Sequence, residues 1–241
     1  MPYILEICRA GMTIEYRKYY TGRYGIKGIP RRKKHKPTSE EQLRINFREA
    51  LRKLTRKINH NFRPGDYHLV LSYEKDLRPD TWEDMTKDIQ DFLKRLRRAC
   101  KKEGIVIRYI RVMERGKKGA RHHHMVINEI PAKILRKCWK KGRIHINPLD
   151  DSGQYRQLAA YLLKFTDEAV RSGELKKRWE PSKGLKDPEI TKKIISRRYY
   201  RDTVNVKKGY YLDKDSLQEY VDANGNRVFS YTIVKIRGDT S

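Results

Sequence analysis

Three histidines stand in a row at 122–124, inside the stretch RHHHMVI (121–127). Side chains alternate faces along a β-strand, so His122 and His124 would share one face and His123 would take the other. Two imidazoles on neighbouring rungs of one face can reach a single divalent cation. A third donor becomes available if the short loop RGKKGAR (115–121) closes a hairpin. Glu114 then lies opposite His122, on the face of both imidazoles. A set of two histidines and one carboxylate leaves positions for water or substrate, as a catalytic metal site requires. It suits Mg2+ or Mn2+ recruited together with a phosphate, with zinc as the alternative. The plainer account is a histidine run satisfied by local hydrogen bonds. The i, i+2 spacing and the facing carboxylate weigh against it.

A second chemical feature lies in QYRQLAAYLLKFTDE (154–168), which has the spacing of a helix with Leu158, Leu162 and Phe165 turned inward. Tyr161 and Lys164, three residues apart, fall on one side of it. A phenol with a pKa near ~10 is a poor nucleophile at neutral pH. An adjacent ammonium favours the phenolate and can neutralise charge on a phosphate under attack. Taken alone, the pair also describes a half-buried tyrosine beside a lysine whose stem covers apolar surface. It gains its meaning from the histidine strand upstream.

The elements that must position these groups are legible along the chain. YILEIC and MTIEYRKYY flank Arg9-Ala10-Gly11 and predict a hairpin. Thr38 and Glu41 form a capping box ahead of a helix over 39–60, whose apolar positions are Phe47, Leu51, Leu54 and Ile58. YHLVLSY (67–73) is nearly all apolar, as a central strand covered on both faces would be. Asp80 and Glu83 signal the start of a helix over 80–103, with Trp82, Met85, Ile89, Phe92, Leu96 and Cys100 in one stripe and Gly104 as its stop. Strands over 105–114 and 121–128 follow, then a helix after Pro131 that turns Ile134, Leu135, Cys138 and Trp139 inward. A short strand at 144–146 and the tyrosine helix, about 153–169, complete this part. The basic stretch 171–208 predicts a surface wrap, and Asn224-Gly225 predicts the turn of a last hairpin between 209–222 and 227–236. The order predicts an α+β fold: a central, mainly antiparallel β-sheet flanked by α-helices. Three parts are expected: 1–38 as hairpin and basic linker, 39–170 as the core, and 171–241 as wrap and hairpin.

Composition limits the partners. The chain of 241 residues carries 57 Lys+Arg against 30 Asp+Glu, a formal charge of +27. That excess points to a polyanion, because each cation that neutralises a phosphate releases a counterion. The run RRKKHK (31–36) on its own reads as a solvated loop. No apolar run approaches the ~18 residues of a spanning helix, and the start MPYILEICRAG lacks a secretory pattern. Three cysteines, Cys8, Cys100 and Cys138, are expected as reduced core thiols of a cytoplasmic protein. There is no Gly-rich phosphate loop with Lys-Ser/Thr, so helicase activity would come from another protein. His35, His60, His68 and His145 are isolated and receive no role, although His68 on the central strand could lie near the site. Individual DNA-contacting cations are not assigned.

The strand YHLVLSY (67–73), the run His122-His123-His124 preceded by Glu114, and Tyr161-Leu162-Leu163-Lys164 together resemble the HUH endonuclease superfamily. Within it they are most similar to the rolling-circle replication initiators of plasmids and phages. The resemblance covers roughly residues 60–170. The segment KRWEPSKGLKDPEI (177–190) also resembles one in phage-type replication proteins. His123 departs from the bulky hydrophobe usual at the family's central position. The resemblance implies a ferredoxin-like core, with His122, His124 and Glu114 holding Mg2+ or Mn2+ against the scissile phosphate of single-stranded DNA at a replication origin. It also implies in-line attack by Tyr161, a 5′-phosphotyrosine, a free 3′-hydroxyl that primes a host polymerase, host helicase as partner, and Lys164 steadying the charge. Some phage members use two tyrosines one helical turn apart. Here that position is Gln157, and Tyr155 is rotated well off the face, so a single-tyrosine enzyme is expected. The alternatives are a relaxase or single-tyrosine transposase with the same chemistry, and a non-catalytic basic module that stacks nucleic-acid bases on its aromatic residues.

Overall fold

The computed structural model describes residues 3–20, 40–116, 120–195, 201–222 and 225–237. Thr38, the run 31–36 with His35, residues 117–119 of the predicted hairpin loop, and Asn224 lie outside the described residues. The chain forms two compact units, Met1–His60 with Asp187–Ser241, and Asn61–Lys186. The expected antiparallel sheet flanked by helices is present in the central unit, and the chain builds a second five-stranded sheet from its terminal segments.

The terminal unit begins with β1 (Tyr3–Ala10) and β2 (Thr13–Tyr20), joined by the turn Gly11-Met12. Gly11 has φ +57, and a Cβ there would stand 2.1 Å from the Asn59 carbonyl oxygen, so this turn needs glycine twice over. Helix α1 (Glu40–Asn61) follows. The later strands β8 (Glu189–Ile195), β9 (Tyr210–Val221) and β10 (Arg227–Lys235) complete a sheet in the order β8-β1-β2-β10-β9. The stretch 171–208, read from sequence as a wrap, therefore contributes a strand to this sheet. Its alternation is hard to read because lysines occupy 192 and 193 and Ile190 and Ile194 are exposed.

Leu54 and Ile58 of α1 are fully buried. Arg56 of the same helix reaches the carboxylates of Glu6 at 2.7 Å and Glu15 at 2.6 Å. Burial alone would raise the Glu6 carboxyl. The Arg56 hydrogen bond and charge, helped by Arg52 and Lys192, outweigh that and hold it below the ordinary carboxylate value. On other positions of the same sheet, Ile14, Phe229, Tyr231 and Ile233 form a small core, with Tyr16 stacked on Tyr231 at 5.0 Å.

In the central unit, β3 (Tyr67–Ser72), β4 (Tyr109–Arg115), β5 (Arg121–Ile127), β6 (Ile144–Pro148) and β7 (Glu180–Pro181) pair in the order β6-β3-β5-β4-β7. The middle position belongs to the histidine strand β5, with β3 as its neighbour. Helix α2 (Trp82–Lys102) is capped by Thr81, whose hydroxyl accepts from the Asp84 amide at 3.1 Å. The cap is thus one residue beyond the expected Asp80. Ile89, Phe92, Leu93, Leu96 and Cys100 of α2 meet Leu69 and Leu71 of β3 and Met125 and Ile127 of β5 in the main core. Each such side chain contributes about 1.5–3 kcal/mol by leaving water. Helix α3 (Ala132–Cys138) adds Leu135 and Cys138 to the same layer. Helix α4 (Arg156–Arg171) carries the tyrosine motif and packs along β4. Cys8, Cys100 and Cys138 are buried free thiols.

Gly142, just ahead of β6, holds the end of β3 in place by close approach. A Cβ at this position would lie 2.4 Å from the Ser72 carbonyl oxygen and 2.8 Å from the Glu74 amide nitrogen. Ser72 is in turn the β3 partner of His122. Gly142→Ala is expected to destabilise the central unit by about 2–4 kcal/mol. All three tryptophans, Trp82, Trp139 and Trp179, lie in this unit, so a lowered urea midpoint in tryptophan fluorescence measures the loss. An unchanged midpoint contradicts the close approach.

Candidate active site

The site is built on the β4–β5 hairpin. The register pairs Glu114 with His122, Met113 with His123 and Val112 with His124, and Gly116 donates its amide to the Ala120 carbonyl at 2.8 Å as the strands part. Glu114, His122 and His124 consequently project from one face of the sheet, as the alternation requires. One oxygen of Glu114, Oε2, lies 2.8 Å from His124 Nε2 and 3.3 Å from His122 Nδ1. The two imidazoles thus approach the carboxylate through different ring nitrogens. Burial alone would raise the Glu114 carboxyl, but hydrogen bonds from His122 and His124 and their charges bring it down to about 2.

His123 takes the opposite face and is fully buried. Its Nε2 meets the Tyr73 hydroxyl at 2.7 Å, and its ring lies 5.8 Å from Trp139. Burial above all, then the nearby Arg111 guanidinium, pushes the imidazole down to about 3. At neutral pH it is an uncharged ring filling a core position, which accounts for a histidine where a hydrophobe would serve. Its Nδ1 has no hydrogen-bond partner among the described residues.

Helix α4 lies over the face that carries Glu114. Ala159, Leu162, Leu163, Thr166 and Ala169 are its buried residues. Tyr161 stays 47% exposed, and its ring meets that of His124 edge-on at 5.7 Å. Burial, then the Glu114 charge, raises the Tyr161 phenol above its ordinary value. Phe165, expected to turn inward, does so by stacking on His124 with ring centroids 4.8 Å apart and planes 4° from parallel. Lys164 is exposed and makes no hydrogen bond or ion pair among the described residues. Tyr155 stands at the N-terminus of α4, only 2% exposed, and donates its hydroxyl to the Asp150 carbonyl at 3.2 Å.

The structure also brings in His68, which the sequence left without a role. Its Nε2 lies 3.3 Å from His124 Nδ1, and its ring meets Tyr161 edge-on at 6.0 Å. Burial and the neighbouring His124 push this imidazole down to about 4. The cross-strand register carries the information: Val70 of β3 opposes His124 and His68 opposes Val126, so His68 is the diagonal neighbour of His124.

Among the described residues, no three His, Cys, Asp or Glu side chains stand ready around a common point for a metal ion. The donor set nevertheless suits a divalent cation. Two ring nitrogens already aim at one carboxylate oxygen, and a cation can replace the protons that join them. His124 is also braced on its far nitrogen, as a metal-binding imidazole usually is.

Residues 66–166 match the model of the replication-associated protein ORF2/G2P family, a span of less than half the chain. No curated protein and no solved structure matches. The matched span lies inside the central unit and contains Glu114, the three histidines, Tyr161 and Lys164. It supports a role in replication, and with it DNA as the polyanion. No helix among the described residues is long and apolar enough to cross a membrane.

The buried His123 and His68 make a pH dependence. Unfolded histidines take up a proton near pH ~6.5, whereas the folded rings resist until about 3 and about 4. Between those values the unfolded chain binds more protons, so the contribution to stability is intact above ~6.5 and is lost as the pH falls towards the folded values. Each ring adds a slope of up to about 1.4 kcal/mol per pH unit. From pH ~6.5 to ~5 the urea midpoint is expected to fall, and His123→Leu to remove about half of the slope. A variant slope equal to wild type would show that His123 is not responsible.

Proposed function

We propose that the central unit nicks and rejoins single-stranded DNA at a replication origin through a covalent tyrosine intermediate. The observation that carries this reading is the placement of an exposed phenol, Tyr161, against His124 on the face where Glu114 and His122 converge. A non-catalytic DNA-binding surface has no use for that convergence.

Glu114 Oε2, His122 Nδ1 and His124 Nε2 would hold a divalent cation, Mg2+ or Mn2+. When bound, it supplies positive charge that offsets Glu114 and draws negative charge from the phosphate oxygens. The chain's own residues do the rest. Tyr161 Oη attacks phosphorus and gives up its proton, the P–O3′ bond breaks, and the departing 3′ oxygen takes a proton to become a hydroxyl. The 5′-phosphate remains as an ester on Tyr161. Because one phosphoester replaces another, attack by a later 3′-hydroxyl reverses the step without a nucleotide cofactor. Phe165 fixes the plane of the His124 ring by stacking. Lys164, on the same helix and free to turn, would meet the phosphate as a point charge. The 3′-hydroxyl left behind would prime a host polymerase, with a host helicase opening the duplex. The excess of 57 Lys+Arg over 30 Asp+Glu would hold the strand by phosphate contacts.

Incubation with pooled single-stranded oligonucleotides and Mn2+, followed by a denaturing gel, tests the reading. A chelator-sensitive adduct that survives denaturation is expected from the wild-type protein. Tyr161→Phe should abolish it. Tyr155→Phe should retain it, since that hydroxyl is buried and held by the Asp150 carbonyl. Salt-sensitive retention of DNA without an adduct would favour the non-catalytic module. Loss of the adduct in the Tyr155 variant alone would overturn the assignment of the nucleophile.

A further inference from the structure

The contact between His68 and His124 joins two strands and touches the tyrosine helix at the same point. His124 has a partner on each ring nitrogen, Glu114 Oε2 at 2.8 Å on Nε2 and His68 Nε2 at 3.3 Å on Nδ1. The His68 and His124 rings are nearly parallel, 19° apart with centroids 5.5 Å apart, and Phe165 lies parallel to His124 as well. The His124 ring is thereby fixed both in plane and in rotation. One imidazole can carry one proton or two, so a chain of two imidazoles and a carboxylate can hold its protons in more than one arrangement. With a proton shared between His124 Nε2 and Glu114, a neutral His124 accepts at Nδ1 and His68 donates. Once a cation occupies Nε2, the single proton of a neutral His124 must move to Nδ1, and His68 Nε2 must accept it there. An imidazole can serve in both states because its own proton can move to its other nitrogen.

We propose that His68 is a positioning residue of the cation site: it receives the Nδ1 proton of His124, keeps Nε2 turned to the Glu114 oxygen, and seats the Tyr161 ring beside it. This rests on the functional reading above, in which His122, His124 and Glu114 hold the cation. His68 itself faces His124 and Tyr161, and its nitrogen is directed at another imidazole, which distinguishes it from a ligand. Removing such a support typically costs 10–100-fold in metal affinity.

The test titrates Mn2+ into the DNA-free protein and follows binding by electron paramagnetic resonance, for wild type, His68→Leu, His68→Gln and His122→Ala. His68→Leu should weaken binding about 10- to 100-fold. His68→Gln, whose carbonyl can accept the Nδ1 proton, should recover most of the loss. Pulsed measurements on the wild-type complex should count two coordinated imidazoles, and nitrogen NMR of the Mg2+-loaded protein should place the His124 proton on Nδ1. If His68→Leu binds as wild type while His122→Ala loses the ion, the cation site stands and the role of His68 falls. Three coordinated imidazoles, or equal loss in the leucine and glutamine variants, would also overturn it. If His122→Ala binds as tightly as wild type, the functional reading itself fails.

Discussion

The candidate site depends on one backbone register, the pairing of Glu114 with His122 across the β4–β5 hairpin. Side chains on a strand alternate with period two, so a slip by one residue would exchange the faces of the whole set. His122 and His124 would turn into the core, and His123 would come out alone. The register is held from the other face, where Met125 and Ile127 are fully buried among α2 residues and His123 lies against Tyr73 and Trp139. A polar constellation is thus specified by an apolar one behind it. The energetic cost of slipping lies in the core; its chemical consequence would appear at the site.

The tyrosine helix obeys the same division. Leu162, Leu163 and Thr166 are buried, while Tyr161 and Lys164 remain on the exposed side of α4. Phe165 stands between the two sets, with an apolar ring whose neighbour is an imidazole. Its flat contact with His124, together with the edge-on contacts of Tyr161 to His124 and Phe165, ties the helix to the strand beside Glu114. Aromatic pairs add about 0.5–1.5 kcal/mol beyond the area they bury, enough to prefer one seating of the helix over its neighbours.

Much of this was legible in the chain because it is local. The alternation of RHHHMVI, the short loop after Glu114 and the apolar spacing of 154–168 each involve residues close in sequence, and the face assignment and cross-strand pair follow from them. The contact of His68 with His124 was not legible, because nothing local sets the register between β3 and β5. Which ring nitrogen of each histidine faces Glu114 depends on side-chain torsions, which spacing does not encode. Phe165 turns inward as its spacing predicts, but spacing does not say what it meets: an aromatic residue there can pack on aliphatic core or on an imidazole, and only the neighbouring strand decides. The strand β8 was hidden because its lysines and exposed isoleucines break the pattern that a half-buried strand would show.

The terminal sheet has a consequence for how the polypeptide emerges from the ribosome. Residues Asn61–Lys186 are contiguous, and their sheet can close once they have cleared the exit tunnel. The first hairpin cannot do likewise. Its strand β1 waits for β8, and β2 waits for β10, whose Ile233 pairs with Ile14 from near the opposite end of the chain. Closing so long a loop is slow, and unpaired strand edges invite association while they wait. The β1–β2 ribbon is therefore among the last parts to find its neighbours, and nascent chains should expose it to chaperones until β8 and β10 have followed.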